Sequence, residues 1–285
     1  MLRIAIQSKG RMNQESLELL DSVGVKLSVR ESNPILVRSS NFPAEVLFIE
    51  KDRIPEFVAQ GIVDVGICGE YLARQAGTPD ECIIKRLGFN KSTLSLAIPR
   101  DAKYRGIEWF IGKSIATPYP DLLSRFLKSH GIKATARLMR EHVYMAPKVG
   151  IADAICDRVY SGTSLMSENL KEVETVMTSE AILIATPQMS PLNQMILDEF
   201  LLRIDAIQEA VGKKFVRMNV PIANLDAIIG ILPALHYPSI AKYQDEEYMS
   251  VSVVMDEKRL WDILERLKEL GAKEILICPI DKMIL

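Results

Sequence analysis

Apolar and polar positions along the chain switch repeatedly between a short-strand pattern and a helical one. Leu2 to Ser8 (LRIAIQS) is an apolar run closed by the turn Lys9-Gly10-Arg11. MNQESLELLDSVGVKL then sets Leu17, Leu20 and Val23 at helical spacing, with Gly24 as the stop. Ala44 to Glu50 reads as a strand. Arg53 to Gly61 reads as a short helix, with Pro55 in its first turn and Gly61 at its end. Val63 to Gly69 is a strand that turns into the helix begun by EYLARQAG. This rhythm predicts a largely parallel sheet with helices on both faces.

From about Lys91 a second set begins, with TLSLAIP, KSIATPYP, ATARLM and DAICDRV as strands and Asp121 to Gly131 as a capped amphipathic helix. VETVM and AILIATP read as further strands. Ser190 to Gly212 reads as a long helix with Ser190 as N-cap and Pro191 at the first helical position. The tail from Lys213 follows the order β-α-β-β-α-β: KKFVRMNV, ANLDAIIGIL, SIAKYQ, YMSVSVVM, EKRLWDILERLKELG and KEILICP. That order is the split βαβ, or ferredoxin-like, motif.

Composition narrows the chemistry. The formal net charge is -2, so no bulk field draws the protein to nucleic acid or anionic membrane, and any anion site must be local. Cys68, Cys82, Cys156 and Cys278 have no C-x-x-C spacing, which supports neither zinc nor a disulfide framework. The N-terminus lacks a signal-peptide pattern, and no apolar stretch approaches the roughly 20 residues of a membrane helix, so the expected compartment is the cytoplasm. H-E-x-x-H, G-x-S-x-G and the Walker P-loop are missing, so nucleophilic hydrolase chemistry is not supported. His130 suits the end of its helix, and His142 and His236 have no evident catalytic partner.

The segment GIADAICDRVYSGTSL, Gly150 to Leu165, carries the sharpest signal. On a strand, Asp153 and Asp157 share a face. Ser161, Gly162, Thr163 and Ser164 then form a hydroxyl-rich turn into a helix, where backbone N–H groups and the helix dipole favour an anion. Acids suited to ribose hydroxyls beside a phosphate turn suggest a sugar phosphate. A strand end with a Ser/Thr cap and two solvated acids fits the same letters. Lys9 and Arg11, after the first strand, sit where α/β proteins bind ligands and could hold a polyphosphate, or be solvated turn charges. Glu70, after GICG, could accept from a ligand hydroxyl or favour its own helix N-terminus. Tyr119 in TPYP could stack on a base or pack internally.

These stretches, with ATPYPDLLSRFL, APKVGIADAICD and LKELGAKEILICPIDKM, resemble the long form of the ATP phosphoribosyltransferase family over nearly the whole chain. That family opens histidine biosynthesis. The resemblance implies α/β architecture with two lobes of the type II periplasmic-binding-protein kind, 1–90 with 180–212 and 91–179, and a ferredoxin-like (ACT-like) α+β regulatory domain, 213–285. It implies joining of ATP, through adenine N1, to phosphoribosyl pyrophosphate with Mg²⁺ present. It further implies feedback inhibition by histidine, and a homo-oligomer built through dimers into a hexamer. Carried onto this sequence, Ser161 to Leu165 would cradle the 5′-phosphate, Asp153 and Asp157 would lie near the ribose, and Lys9 and Arg11 would face pyrophosphate or triphosphate. Glu70 and Tyr119 would serve the ATP side. LPALHYPSI resembles the family's L-P-G…P-T-I turn, which makes Leu235 and Ser239 candidates for the histidine site.

One departure stands out. The family's G-S-V-E is Glu141-His142-Val143-Tyr144 here, so a tyrosine stands where a glutamate is usual. A non-catalytic binding protein and a regulatory subunit are the rival classes. The polyphosphate candidates argue against the first and the complete tail against the second. Gly162→Val is expected to abolish sugar-phosphate binding with the fold kept, because a β-branched side chain fills the turn. Titration of the purified variant with phosphoribosyl pyrophosphate checks this, and unchanged affinity removes the turn from the site.

Overall fold

The computed structural model describes residues 1–28, 35–160, 162–233, 237–242 and 247–285. Contacts divide the chain into two compact units, Met1–Leu197 and Asp198–Leu285. The first unit opens with β1 (Leu2–Gln7), α1 (Arg11–Ser22), β2 (Leu36–Arg38), β3 (Ala44–Ile49), α2 (Ile54–Ala59), β4 (Val65–Gly69), α3 (Glu70–Gln75) and β5 (Ile83–Arg86). It continues with β6 (Ser92–Pro99), β7 (Ser114–Thr117), α4 (Pro120–Ser129), β8 (Thr135–Leu138), β9 (Ala154–Val159), α5 (Thr163–Ser167), β10 (Leu170–Ser179) and β11 (Ala181–Ala185). The unit boundary falls inside α6 (Pro191–Ala210), whose first turn is capped as the sequence suggests, with the Asn193 N–H donating to Ser190 Oγ at 3.2 Å.

Two sheets make the first unit, in the orders β2-β3-β1-β4-β11-β5 and β10-β6-β9-β7-β8. Both are mixed, which corrects the expectation of a largely parallel sheet. β3, β1 and β4 run parallel, as do β9, β7 and β8. β11 enters antiparallel between β4 and β5, because the chain returns to the first sheet only after completing the second. All five residues of β4 and of β11 are buried, as suits central strands.

One buried apolar cluster spans both sheets, from Ala5, Ile54 and Tyr71 to Leu96, Ile115 and Leu123. The cap expected for the helix after TPYP is absent from its own sequence: α4 starts at Pro120 with no side-chain cap. Gln75 of α3 supplies it from the other lobe, accepting from the Leu122 N–H at 3.1 Å and donating to Asp121 at 2.7 Å. A tertiary cap of this kind leaves no local sequence mark.

The second unit follows with β12 (Lys213–Pro221), α7 (Leu225–Ile231), β13 (Ser239–Lys242), β14 (Tyr248–Asp256), α8 (Glu257–Glu269) and β15 (Lys273–Pro279). Its strand order, β13-β14-β12-β15 with antiparallel neighbours, is ferredoxin-like. Val216, Met218 and Val220 of β12 alternate into a core closed by Ile228 of α7 and by Leu260 and Leu267 of α8.

Packing between α2 and β4 leaves no room at Gly66. A Cβ there would stand 2.5 Å from Ile54 Cγ2 and 3.0 Å from Val58 Cγ2, both buried. Gly66→Ala is therefore expected to cost about 1–3 kcal/mol of stability by overpacking, read as a lower urea midpoint. An unchanged midpoint contradicts this packing.

Candidate active site

The carboxyl ends of β1, β3 and β4 share one edge of the first sheet, and those of β7 and β9 share one edge of the second. These edges deliver the turns at Ser8–Arg11, Lys51, Tyr119 and Tyr160–Leu165, where α/β folds place their ligands. A cavity of about 330 Å³ joins the two sets, lined by Lys51 from the first and by Tyr119, Tyr144, Asp157, Arg158, Gly162, Ser164 and Leu165 from the second. A second cavity of about 660 Å³ lies alongside, lined among others by Arg86, Lys91, Thr93, Glu172 and Thr178. Tyr160 and Gly162 line both, so the turn after β9 stands between two chambers.

The turn is built as its residue types suggest. Gly162 has φ of 72° and caps the five-residue α5. Leu165 is 4% exposed and anchors the turn beneath, while Thr163 and Ser164 are exposed. A Cβ on Gly162 would meet nothing within 4 Å. The crowding expected of a valine there would fall on ligand space, and its cost to the protein would come from the left-handed backbone. Ser161 lies outside the described residues.

The two aspartates of GIADAICD do not act together. Asp157 is half-buried in the smaller chamber, takes the Arg158 N–H at 2.7 Å, and has its pKa raised chiefly by burial, against the lowering effects of that N–H and the Lys51 charge. Asp153 precedes β9 and turns to the edge of β7, accepting from the Ser114 N–H at 2.8 Å and its hydroxyl at 3.0 Å. Those bonds, the backbone one first, hold its pKa below the usual carboxylate range, and the residue lines a different cavity with Trp109, Lys113 and Arg137. The shared face inferred from strand spacing is thus corrected: four residues of extended chain separate the two by about 13 Å, and Asp153 ends outside the chamber.

Tyr144, the residue that departs from the expected glutamate, also lines the chamber. Its hydroxyl donates to the Arg158 carbonyl at 3.1 Å and lies within interacting range of Asp157. Burial pushes this phenol up to about 12, so at neutral pH it is a donor. Glu141 is exposed and is not among the chamber's lining residues.

Of the predicted cations, Lys9 and Arg11 are exposed on the turn after β1. Arg11 pairs with Glu15 at 2.9 Å and its guanidinium carbon lies 5.8 Å from the centre of the Tyr160 ring, which brings it to the turn after β9. Glu70 is 5% exposed and already committed: Arg86 holds its two oxygens at 2.7 and 2.8 Å, with Arg74 at 3.4 Å. Both of its oxygens are thus engaged by arginines inside the protein. Tyr119 packs edge-on against Tyr71, centroids 5.0 Å apart, as the packing alternative has it. Leu235 lies outside the described residues, and Ser239 is exposed at the start of β13.

Lys51, Tyr71, Asn90 and Arg158 escape the sequence reading. Lys51 follows the strand AEVLFIE and carried a signal, being a cation at the carboxyl end of a strand like Lys9. Tyr71 and Asn90 are brought in by tertiary folding alone. The chain bends at Gly69 to admit the Tyr71 ring, since a Cβ on Gly69 would lie 2.3 Å from it. No group of three or more His, Cys, Asp or Glu side chains is placed to hold a metal ion among the described residues.

With this geometry in hand, residues 50–206 match the family described as ATP phosphoribosyltransferase, and residues 210–282 match the one described as HisG, C-terminal domain. The chain is 50% identical over 287 residues to the ATP phosphoribosyltransferase of Bacteroides fragilis (strain YCH46), with 100% of both chains covered. It is 48% identical to that of Parabacteroides distasonis, again with 100% of both covered. Among solved structures it is similar to the ATP phosphoribosyl transferase (HisG:HisZ) complex from Thermotoga maritima, with a TM-score of 0.62 at 24% identity, covering 73% of this chain and 98% of that one. At that identity the likeness speaks for the fold.

The opposite pKa shifts of the two aspartates predict opposite pH signatures. Asp157, with its pKa raised, stabilises the fold as the acid. That contribution is complete below the unfolded value of about 3.9 and is lost as pH rises through the folded value. Asp157→Asn should thus raise the melting temperature at about pH 7, the gain shrinking toward about pH 4. Asp153, with its pKa lowered, stabilises above about 3.9 and loses this as pH falls through its folded value. Asp153→Asn should therefore melt lower at about pH 7, with the deficit closing in acid. Thermal melts across that range decide it, and a shared sign at neutral pH contradicts the two environments.

Proposed function

Because this chain belongs to the ATP phosphoribosyltransferase family, we propose that its interlobe chambers join ATP to phosphoribosyl pyrophosphate, as the first committed reaction of histidine synthesis. The observation that carries the reading is the single cavity in which a glycine-hydroxyl turn, one carboxylate and a lysine converge from two sheets.

The bond formed runs from adenine N1 to ribose C1. The bond broken runs from C1 to the pyrophosphate oxygen, which leaves with the electron pair. Neutral N1 is already nucleophilic, so the site needs no general base. The barrier lies in charge building on the leaving group and on an electron-poor sugar carbon, which fixed donors and cations lower. Gly162, Thr163, Ser164 and Leu165 hold the 5′-phosphate, and Asp157 accepts from ribose hydroxyls. Lys9 and Arg11, with Lys51 beside them, face pyrophosphate or triphosphate. The Tyr144 hydroxyl stands where the family's glutamate would accept, spends its hydrogen on the Arg158 carbonyl and lies beside Asp157. Mg²⁺ suits this set when bound mainly by substrate phosphates, because the chamber offers one carboxylate, Asp157, and such ions commonly take one or two. Bound there, it would neutralise charge on the departing pyrophosphate.

The catalytic lobes in this reading are 1–90 with 180–212 and 91–179, and the ferredoxin-like domain of 213–285 takes histidine as feedback inhibitor, with Ser239 at its site. The enzyme works as a homo-oligomer, a hexamer built from dimers, in the cytoplasm. The experiment is direct: purified chain, ATP, phosphoribosyl pyrophosphate and Mg²⁺, followed by absorbance of the N1-substituted adenine, with and without histidine. Product formation that histidine slows is expected. No product at saturating substrates overturns the catalytic reading in favour of a binding homologue, and product formation indifferent to histidine overturns the regulatory one.

A further inference from the structure

Arg158 lies in the chamber wall beside Asp157, whose pKa its charge lowers, yet its guanidinium has no carboxylate partner among the described residues. Its Nη1 donates to the Tyr71 hydroxyl at 2.6 Å, Nη2 to Asn90 Oδ1 at 3.0 Å and to the Tyr160 hydroxyl, and Nε to Ser92 Oγ at 3.4 Å. The guanidinium carbon sits 4.1 Å from the Tyr71 ring centre and 4.7 Å from that of Tyr160. Every one of these partners is neutral, and no ion pair among the described residues includes Arg158. A guanidinium stays protonated, and a partly desolvated cation with no directly paired carboxylate is costly.

We propose that Arg158 is a further substrate-binding residue of the reaction read above, one that recognises a phosphate group of the pyrophosphate-bearing substrate. Four of the five guanidinium donors are in use, which leaves one on Nη1. The Nη2 donor given to Tyr160, a side chain 50% exposed, is the one a ligand oxygen can take over. Together those two donors form the planar fork that matches a phosphate.

Tyr71 and Asn90 are positioning residues. Tyr71 is 1% exposed, and its N–H is fixed to Ser179 Oγ at 3.2 Å. Asn90 is 3% exposed, holds the left-handed φ of 53°, and donates to Glu15 at 2.6 Å, the same carboxylate that takes Arg11. The chain Arg11–Glu15–Asn90–Arg158 thus connects the cation turn of the first sheet to the phosphate turn of the second.

The test compares Arg158→Met, Arg158→Lys and Tyr71→Phe with the parent, by steady-state kinetics in both substrates and by calorimetric titration with inorganic pyrophosphate. For Arg158→Met, KM for phosphoribosyl pyrophosphate should rise on the order of 10- to 100-fold, with a parallel loss of pyrophosphate affinity and KM for ATP within about twofold. Arg158→Lys should recover part of the loss, because it keeps the charge but not the fork. Tyr71→Phe should move the same constants less. KM and pyrophosphate affinity unchanged in Arg158→Met overturn the proposal, as does a loss confined to the ATP side. If Arg158→Met melts below the assay temperature, Arg158→Lys and Tyr71→Phe decide it by the same criteria. An inactive parent overturns the transferase reading alone, while the pyrophosphate titrations still decide Arg158.

Discussion

The pairing of β11 with both β4 and β5 is the constraint on which the catalytic unit rests. It obliges the chain to leave the first sheet after β5, build the whole second sheet, and come back as a central strand. Two crossings then run side by side between the lobes, one through Asn90 and one from Ser179 to Ala181. The chambers lie against this seam: Lys91, Ser92, Thr178 and Ser179 line the larger one, and Arg158 reaches Asn90 and Ser92 from the smaller. Groups from both crossings therefore reach the chambers without depending on a loop for their position.

Electrostatics inside this frame is local. A chain of net charge -2 has no field to collect phosphates from a distance. What it has is a set of cations spent in different ways. Arg86 is held by Glu70 and Glu180 at the wall of the larger chamber, and Arg74 by Asp80 and Glu70. Arg11 shares Glu15 with Asn90, while Lys51 and Arg158 face the chamber with neutral neighbours or with Asp157. The geometry thus shows which charges are paired inside the protein and which face a chamber, a distinction that counting residues cannot make.

The regular parts of this fold were legible in the letters. The β-α-β-β-α-β order of the tail, the Ser190 cap and the turn after β9 follow from local pattern, because each depends on residues close in sequence. The sheet direction was not, because β11 pairs with strands about a hundred residues earlier and its own five apolar residues say nothing of orientation. The shared face of Asp153 and Asp157 failed for a related reason: strand periodicity gives faces, while Asp153 is turned to Ser114 on a neighbouring strand and only Asp157 stays in the chamber. Glu70 read as a ligand contact or a helix-terminal acid, and Arg86, sixteen residues on, engages it. Arg158 read as an ordinary strand residue, and only the arrival of Tyr71 and Asn90 from two other segments, beside Tyr160 two residues on, gives it meaning.

The position of β11 also sets an order in time. On the ribosome, β1, β3 and β4 can pair as soon as they emerge, yet β4 keeps one bare edge and β5 has no neighbour at all until residue 185 has been made. Through synthesis of the second lobe, the first carries an open apolar strand edge of the kind that invites wrong partners. The last strand added is the one that closes it, so a truncation before β11 would leave not a smaller working lobe but an unfinished and adhesive one.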